Sequence, residues 1–372
     1  MYKVCHMTSA HEAWDDRIFH KECVSLAREG YEVYLVQRGE SGEKNGIHII
    51  GVGEMPTSRR RRMTEGTRKV YEAAKAVDAD LYHFHDPELL PYGLKLKRAG
   101  KKVIFDSHEK YTEQIAAKPY LPRWLAHLIS GCYGAYEHQV LRKLDAVIFP
   151  CTMDGKNPFA GQCKRTPLIS NAAILGEFFD FYDPNAPKMD RQVCYVGGLT
   201  RERGITAAVQ AAHRAKATLV LAGSFSPQSY GDELQVLPEY ASVCYRGLLD
   251  RTGVRDLLAQ SRVGLCTLLD VGQYLKIDTF GIKVYEYMSM ALPVILSHSA
   301  YNDRMIEKYR FGICVDPEQV DELSNAIRYL LDHPDEARQM GENGRRAVEQ
   351  QFNWGVEEKK LLALYNDILN DK

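Results

Sequence analysis

The chain reads as two doubly wound α/β domains, each a parallel sheet covered by helices on both faces, followed by a helical tail. Three observations predict this. Short β-branched and aromatic runs alternate with longer amphipathic helical patterns, and a dozen or more helical residues between strands make crossover connections, hence parallel sheets. The alternation lapses near residues 175–191 and then restarts. The 372 residues, at about 100–200 per domain, leave room for two cores.

Taken in order, YKVCHMT reads as a strand, RIFHKECVSLAREG as an amphipathic helix stopped by Gly30, and EVYLVQ as the next strand. DLYHFH, ELLPYGLKLKRAG, KKVIFDS, a long helix from about Pro122 to Leu144, and AVIF continue the rhythm. LGEFFDFYDPNAPKMDR is rich in Asp, Pro and Asn without sustained periodicity, as a linker is. Beyond it come QVCYVGG, a helix from Gly204, TLVLAGS, SVCYRG, VRDLLAQS, VGLCTLL, VYEYMSMA and LPVILS; after Asp316 the pattern is helical almost to the end. The boundaries that follow are a first domain over 1–175, a linker over 176–190, a second domain over 191–352, and a C-terminal helix over 353–372 that packs on its own domain or back on the first. Open α/β sheets bind ligands beyond the carboxyl ends of their strands, so a cleft between two of them is the expected site.

Composition excludes several classes. Lys and Arg number 48 against 49 Asp and Glu, a formal net charge of -1, so no global field recruits nucleic acid. The nine cysteines include no C-x-x-C pair, and several, Cys194 and Cys266 among them, lie in apolar runs. They read as reduced structural thiols and exclude a disulfide scaffold or zinc finger. MYKVCHMTSA is strand-like rather than signal-like, and no apolar run approaches the ~20 residues that cross a bilayer. The expectation is a cytoplasmic chain.

Five stretches carry candidate chemistry. In DTFGIKVYEYMSMALPVI, residues 278–295, Gly281 permits close backbone approach and a helix starting nearby offers free N–H groups to an anion. Lys283 and Glu286, three apart, share a face of that helix; the pair suits a nucleotide diphosphate and its ribose, and equally a surface ion pair. YVGGLTRERG, residues 195–204, sets Gly197 and Gly198 before Arg203, which is either an anion-binding turn or a helix start with solvated charges. VIFDSHE places His108 just past a strand end, where a structural imidazole and a catalytic one are both possible. Glu109 beside it fits a helix cap as well.

In HFHDPELLPYG, His83 and His85 point to one face of a strand, which invites a metal. A metallohydrolase needs further ligands, such as an Asp two places after the second His. Asp86-Pro87-Glu88 reads instead as N-cap, first helical residue and first-turn acid, and no metal is expected. SAHEAWDDRIFHKE, residues 9–22, contains Asp16 and Arg17, with Asp16 also a fitting N-cap. SRRRRMTEGTRK is the one charge run; Arg59–Arg62 suit either a solvated helix start or anionic lipid headgroups. No aromatics interleave with these arginines, so nucleic acid is not the partner. Trp124, Leu125, Leu128 and Ile129 on a neighbouring helix are core, or a dip into a membrane surface.

The stretch from Asp278 to Ile295 resembles the signature of the family-4 retaining glycosyltransferases: an acid, seven residues, Glu, a helix of small residues and a Pro-Val-Ile strand. The resemblance implies the GT-B fold, two Rossmann-like domains facing a central cleft. It implies that Glu286 binds ribose and Asp278, standing where Glu is usual, lies by the transferred sugar; Lys283 replaces a common Pro. Gly197, Gly198 and Arg203 resemble the family's diphosphate-binding turn. Gly198 stands where many members have an arginine, whose contact is either missing or supplied by Arg201 or Lys283. Together with Gly281 these residues form the implied donor site. His108 corresponds to a histidine that faces the sugar, and His108 and Asp278 are the implied catalytic pair. Residues 9–22 lack the family's glycine-rich loop and resemble a polysaccharide-assembly subgroup with an Asp-Arg-Ile-x-x-Lys-Glu pattern, which makes Asp16 and Arg17 acceptor-side or interdomain candidates; HFHDPELLPYG also has family counterparts, which puts His85 near the cleft as an acceptor-side candidate or a donor contact. Residues 310–354 resemble the family's C-terminal run, ending in Phe352 and Trp354.

The resemblance implies transfer of a hexosyl or N-acetylhexosaminyl group from a nucleotide-sugar donor, UDP by default and GDP as the other base, to a glycan or lipid-linked acceptor. No cofactor or metal is implied, since no Asp-x-Asp motif occurs among these residues. A nucleotide-sugar epimerase on the same scaffold and a non-catalytic sugar- or lipid-binding protein remain open alternatives. An NAD-dependent dehydrogenase does not, because MTSAHEAWD lacks G-x-G-x-x-G after the first strand.

Overall fold

The structure, a computed structural model, describes residues 1–11, 14–116, 118 and 121–371, with backbone alone at Arg59. Its contacts divide it into two units, Met1–Asn171 with Gly355–Lys372, and Ala172–Trp354. The chain thus leaves the first unit ahead of the Asp- and Pro-rich stretch, and its last helix belongs to the first unit from Gly355 onward.

The first unit is a seven-stranded sheet of β1 (Lys3–Met7), β2 (Glu32–Gln37), β3 (Gly42–Lys44), β4 (Ile47–Gly51), β5 (Leu81–Phe84), β6 (Lys102–Asp106) and β7 (Ala146–Ile148). The order is β3-β4-β2-β1-β5-β6-β7, parallel except for β3, which runs against β4. That β3–β4 hairpin was not among the expected elements. Its first strand is fully exposed and has no apolar alternation, and its signal is the Asn45-Gly46 turn, with both residues at positive φ. β1 and β5 are buried on both faces, as a parallel sheet requires. The C-terminal helix Trp354–Asn370 sends Tyr365 into this core, where its hydroxyl lies 2.8 Å from His83 Nδ1 and 3.0 Å from His6 Nε2.

The second unit is a six-stranded, wholly parallel sheet of β8 (Gln192–Val196), β9 (Thr218–Ala222), β10 (Val243–Gly247), β11 (Val263–Cys266), β12 (Val294–Ser297) and β13 (Gly312–Val315). Its order is β10-β9-β8-β11-β12-β13. Alternation along the strands splits the core in two. Val193, Tyr195, Leu219 and Leu221 join one cluster, and Cys194, Val220 and Ala222 the other, so helices cover both faces. Two doubly wound parallel-sheet domains are therefore present. Among the described residues, no helix is long and apolar enough to cross a membrane, and none of the nine cysteines is in a disulfide.

In both sheets the order reverses beside the first strand, between β1 and β5 and between β8 and β11, and a crevice forms beyond such a switch point. At the second, pairing of β8 with β11 ends at Cys194 and Gly264. Past that point the buried Tyr287 bridges the strands: its hydroxyl accepts from Val196 N–H at 2.9 Å and donates to the Leu265 carbonyl at 3.4 Å. Gly264 makes the room, since a Cβ there would stand 2.4 Å from the Tyr287 ring. Tyr287→Phe should cost about 1–3 kcal/mol by leaving two buried backbone groups unpaired. Urea unfolding with unchanged circular dichroism checks this, and an unchanged midpoint would show that the hydroxyl does not hold the strands together.

Candidate active site

Where β8 ends, Gly197 takes φ +124°, and a Cβ on it would stand 3.0 Å from Lys283 Nζ and 3.5 Å from Arg203 Nη1. Two cations therefore lie against a bare backbone turn. Gly198 continues it, its carbonyl 3.4 Å from Arg203 Nη1. Gly281 is the extended N-cap of the helix Ile282–Ser289, and no side chain caps it. Lys283 in the first turn is 9% exposed and packs on the Tyr195 ring, its Nζ 3.7 Å from the centroid. Among the described residues its Nζ has no hydrogen-bond partner. Burial, with Arg203 nearby, pulls this ammonium down to about 8.

One turn on, Glu286 is buried and its Oε1 accepts from Arg251 Nη1 at 2.7 Å. The surface ion pair that the spacing of residues 283 and 286 also allowed is not formed, because both side chains face inward and the guanidinium on Glu286 comes from Arg251. Arg251 is itself placed by Glu177 at 2.5 Å and by the Phe178 ring at 4.5 Å. Asp278 sits half-buried in the bend ahead of Gly281. Arg203, Tyr274, Gly281 and Lys283 help to line a cavity of about 230 Å³. Two cations, bare backbone and a helix N-terminus at one place suit a multiply charged oxyanion, with a carboxylate one turn along for neutral donors.

The first unit gathers a different set at the ends of β1, β5 and β6. Arg17 is 4% exposed and grips Asp106 with both arms, Nε to Oδ2 at 2.6 Å and Nη2 to Oδ1 at 3.0 Å, while Nη1 donates to the Ile169 carbonyl at 3.0 Å. With its guanidinium spent inside the unit, Arg17 is a clamp rather than the acceptor-side residue expected. Burial alone would raise Asp106, but Arg17 and His108 hold its carboxyl well below the usual range. His85, also expected on the acceptor side, is completely buried; its Nδ1 lies 3.3 Å from His108 Nε2 and its Nε2 3.1 Å from His6 Nδ1.

His108 is the partly exposed member of this chain of rings, its Nε2 3.4 Å from Asp106 Oδ2 and its ring 4.4 Å from that of His11. Asp15, not Asp16, caps the helix Asp16–Cys23, accepting from Arg17 N–H and Ile18 N–H at 2.9 Å. Asp16 instead takes Lys21 Nζ at 2.5 Å. Asp86 holds the N-cap position, but its carboxylate turns away from the helix to accept from Thr8 Oγ1 at 2.9 Å and Ser9 N–H at 2.6 Å. Part of the loop at residues 9–22, Glu12 and Ala13, lies outside the described residues. His6, Glu22, Asp106 and Tyr365 were not foreseen, since they converge from strands and helices far apart in sequence.

Residues 17–156 match the family described as glycosyltransferase family 4, and residues 178–347 the one described as glycosyl transferases group 1. An MMP alpha-(1->4)-mannosyltransferase of Mycolicibacterium hassiacum is 32% identical over 295 residues, 76% of this chain and 69% of the relative. The chain belongs to the family-4 glycosyltransferases. Other relatives of this glycosyltransferase match over less: it spans 48% of the length of an alpha-maltose-1-phosphate synthase of Mycolicibacterium smegmatis, at 26% identity. Sucrose-phosphate synthase from Thermosynechococcus elongatus has the same fold over the whole of both chains, with TM-score 0.79 at 21% identity. So does HepE from Anabaena, solved with UDP and glucose, with TM-score 0.73 at 14% identity over 99% of this chain and 100% of that one. The fold is GT-B.

The basic run of the glycosyltransferase is partly spent on its own acids: Arg61 pairs with Glu65 at 2.8 Å and Arg62 with Glu88 at 3.0 Å. Arg17→Ala should destabilise the chain by about 3–5 kcal/mol, because Asp106 would stay buried without its guanidinium. Chemical denaturation measures this, and a loss below about 1 kcal/mol would mean that Asp106 is held by its histidines alone.

Proposed function

We propose that the chain transfers a sugar from a nucleoside-diphosphate sugar, with UDP as the nucleotide, to a glycan or lipid-linked glycan, with retention at the anomeric carbon and without a metal ion at the diphosphate. The observation that carries the reading is Lys283: a buried ammonium without a hydrogen bond, beside Arg203, under a glycine turn, on the helix that also bears Glu286. Such a cation asks for an anion, and the carboxylate beyond it fits a ribose diol.

In this reading the diphosphate lies on the Gly197-Gly198 turn and the amides after Gly281, with Arg203 and Lys283 as its counter-charges. Negative charge builds on the departing diphosphate as the glycosidic bond breaks, and fixed cations in a dry site stabilise that charge without reorganising. Glu286 takes the ribose hydroxyls, with Arg251 aiming it, and Asp278 attends the sugar. The first unit is assigned the acceptor, with His108 as its accessible imidazole, oriented by Asp106. UDP as the base is supported by the fold likeness to a protein solved with UDP and by the family resemblance. The proposal does not extend to a membrane surface, because Arg61 and Arg62 are already paired.

Calorimetric titration with UDP and with GDP in EDTA, on wild type and Glu286→Ala, tests the site. UDP should bind wild type in preference to GDP, and the variant should lose about an order of magnitude or more in affinity through loss of a charged acceptor; preference for GDP would overturn UDP as the base. Equal affinity in the two proteins would remove Glu286 from the donor site. With UDP-sugar and acceptor, the products should be free UDP and a glycoside; an isomerised donor would make the chain an epimerase.

A further inference from the structure

The first unit contains a cluster that sugar transfer does not use. His6, Glu22, His83 and His85 are fully buried, and one ligand atom from each lies within 4.8 Å of the others. Glu22 is its centre. Among the described residues no nitrogen donor bonds either carboxylate oxygen: Oε1 lies 3.1 Å from Arg17 Nε without bonding geometry, Oε2 faces three imidazoles, and the Asp106 carboxyl is the neighbouring acid. Its distances are 3.8 Å to His6 Nδ1, 3.8 Å to His85 Nε2 and 3.9 Å to His83 Nδ1, too long for hydrogen bonds and nearly equal. His6 Nδ1 and His85 Nε2 are 3.1 Å apart. A tetrahedral ion with ~2.0–2.1 Å bonds spaces its ligand atoms by roughly 3.3–3.4 Å. His6 Nδ1 and His85 Nε2 are already near that spacing, Glu22 Oε2 stands about half an ångström beyond it from each imidazole nitrogen, and all four atoms lie within 4.8 Å of one another.

We propose that His6, Glu22, His83 and His85 form a structural site for a divalent transition metal of the zinc class. Three imidazoles and one carboxylate are a donor set that zinc prefers. Two of the rings are already oriented by outer partners, as metal-binding histidines are. His85 turns Nδ1 toward Asp106 Oδ2 at 3.4 Å, with Asp106 clamped by Arg17, and His6 turns Nε2 toward the Tyr365 hydroxyl at 3.0 Å. The remaining adjustment falls on His83, whose Nδ1 would exchange the Tyr365 hydroxyl, now at 2.8 Å, for the ion. All four ligands come from protein and none is exposed, so the site has no open position for a substrate. The ion fastens β1, β5 and the helix Asp16–Cys23 together. It lies in the unit that does not carry the proposed donor site, and its shielding makes it compatible with transfer in EDTA.

The test reads metal and stability, so its failure is distinct from failure of the transferase reading. The full chain, made without a histidine tag, is analysed by inductively coupled plasma mass spectrometry, then unfolded in guanidinium with EDTA and refolded with zinc, with cobalt, or with neither. Expected are close to one zinc per chain, a melting temperature several degrees higher after refolding with zinc, and the visible absorption of tetrahedral cobalt. Glu22→Gln should lose the metal while Glu286→Ala keeps it. If Glu22→Gln does not fold, the refolding arms on wild type decide alone. Protein that is zinc-free as purified, melts identically with and without zinc and shows no cobalt band would overturn the proposal and assign to the cluster a proton shared by Glu22 and its neighbours.

Discussion

A lysine ammonium buried without a hydrogen bond is the constraint around which the second unit is arranged. Moving that group from its ordinary value to about 8 corresponds to roughly 3 kcal/mol of lost preference for the charged form. The Tyr195 face returns part of this, about 2 kcal/mol for a desolvated cation–π contact. In the proposed reading the remainder is offset when an anion binds beside the ammonium. β8 and β11 separate beyond Cys194 and Gly264, with the Tyr287 hydroxyl satisfying the strand ends. The chain turns at Gly197 with nothing on its Cα to cover Lys283, and a helix N-terminus opens beside it. Glu286 follows one turn later with its own guanidinium. In the proposed reading these elements serve, in this order, a diphosphate followed by a ribose.

The first unit solves a different electrostatic problem. Its crevice is floored by buried acids and imidazoles rather than by cations, and Arg17 carries the compensating charge. Its two-armed grip on Asp106 fixes the acid against which His85 and His108 are set. Burial pulls His6 and His83 well below the ordinary imidazole value and His85 to about 4, so the rings are neutral and able to accept. Glu22 is pushed the other way by burial and by Asp106. Among the described residues of this cluster, the His108 and His11 rings bring this chemistry toward solvent.

Both sheets were legible in the sequence wherever strands were apolar and separated by full helices, since burial on both faces leaves a continuous hydrophobic run. β3 escaped because three exposed residues, Gly42 to Lys44, carry no such run. The glycine turn and the helix after Gly281 were legible because each is local: Gly197, Gly198 and Arg203 lie within seven residues, and Gly281, Lys283 and Glu286 within six. What was not legible depends on contacts between distant segments. Arg251 reaches Glu286 from 35 residues away, Arg17 reaches Asp106 from 89, and Tyr365 reaches His6 from 359. Asp15 and Asp16 are equally good caps by type, and only the backbone of the loop chooses between them.

The central claim is that Lys283 is held unpaired for the donor's diphosphate. Its direct test is the affinity for UDP measured by calorimetry from pH 7 to 9.5 on wild type and Lys283→Met. Free, the ammonium loses its proton as pH rises through about 8; a bound anion favours the protonated form and raises that value, so binding takes up a proton above pH 8. Wild-type affinity should be level below pH 8 and fall toward about tenfold per pH unit above it, while the variant binds more weakly and without that slope. A wild-type affinity that stays level across the whole range would contradict the account, because the buried ammonium would then not be what the nucleotide binds.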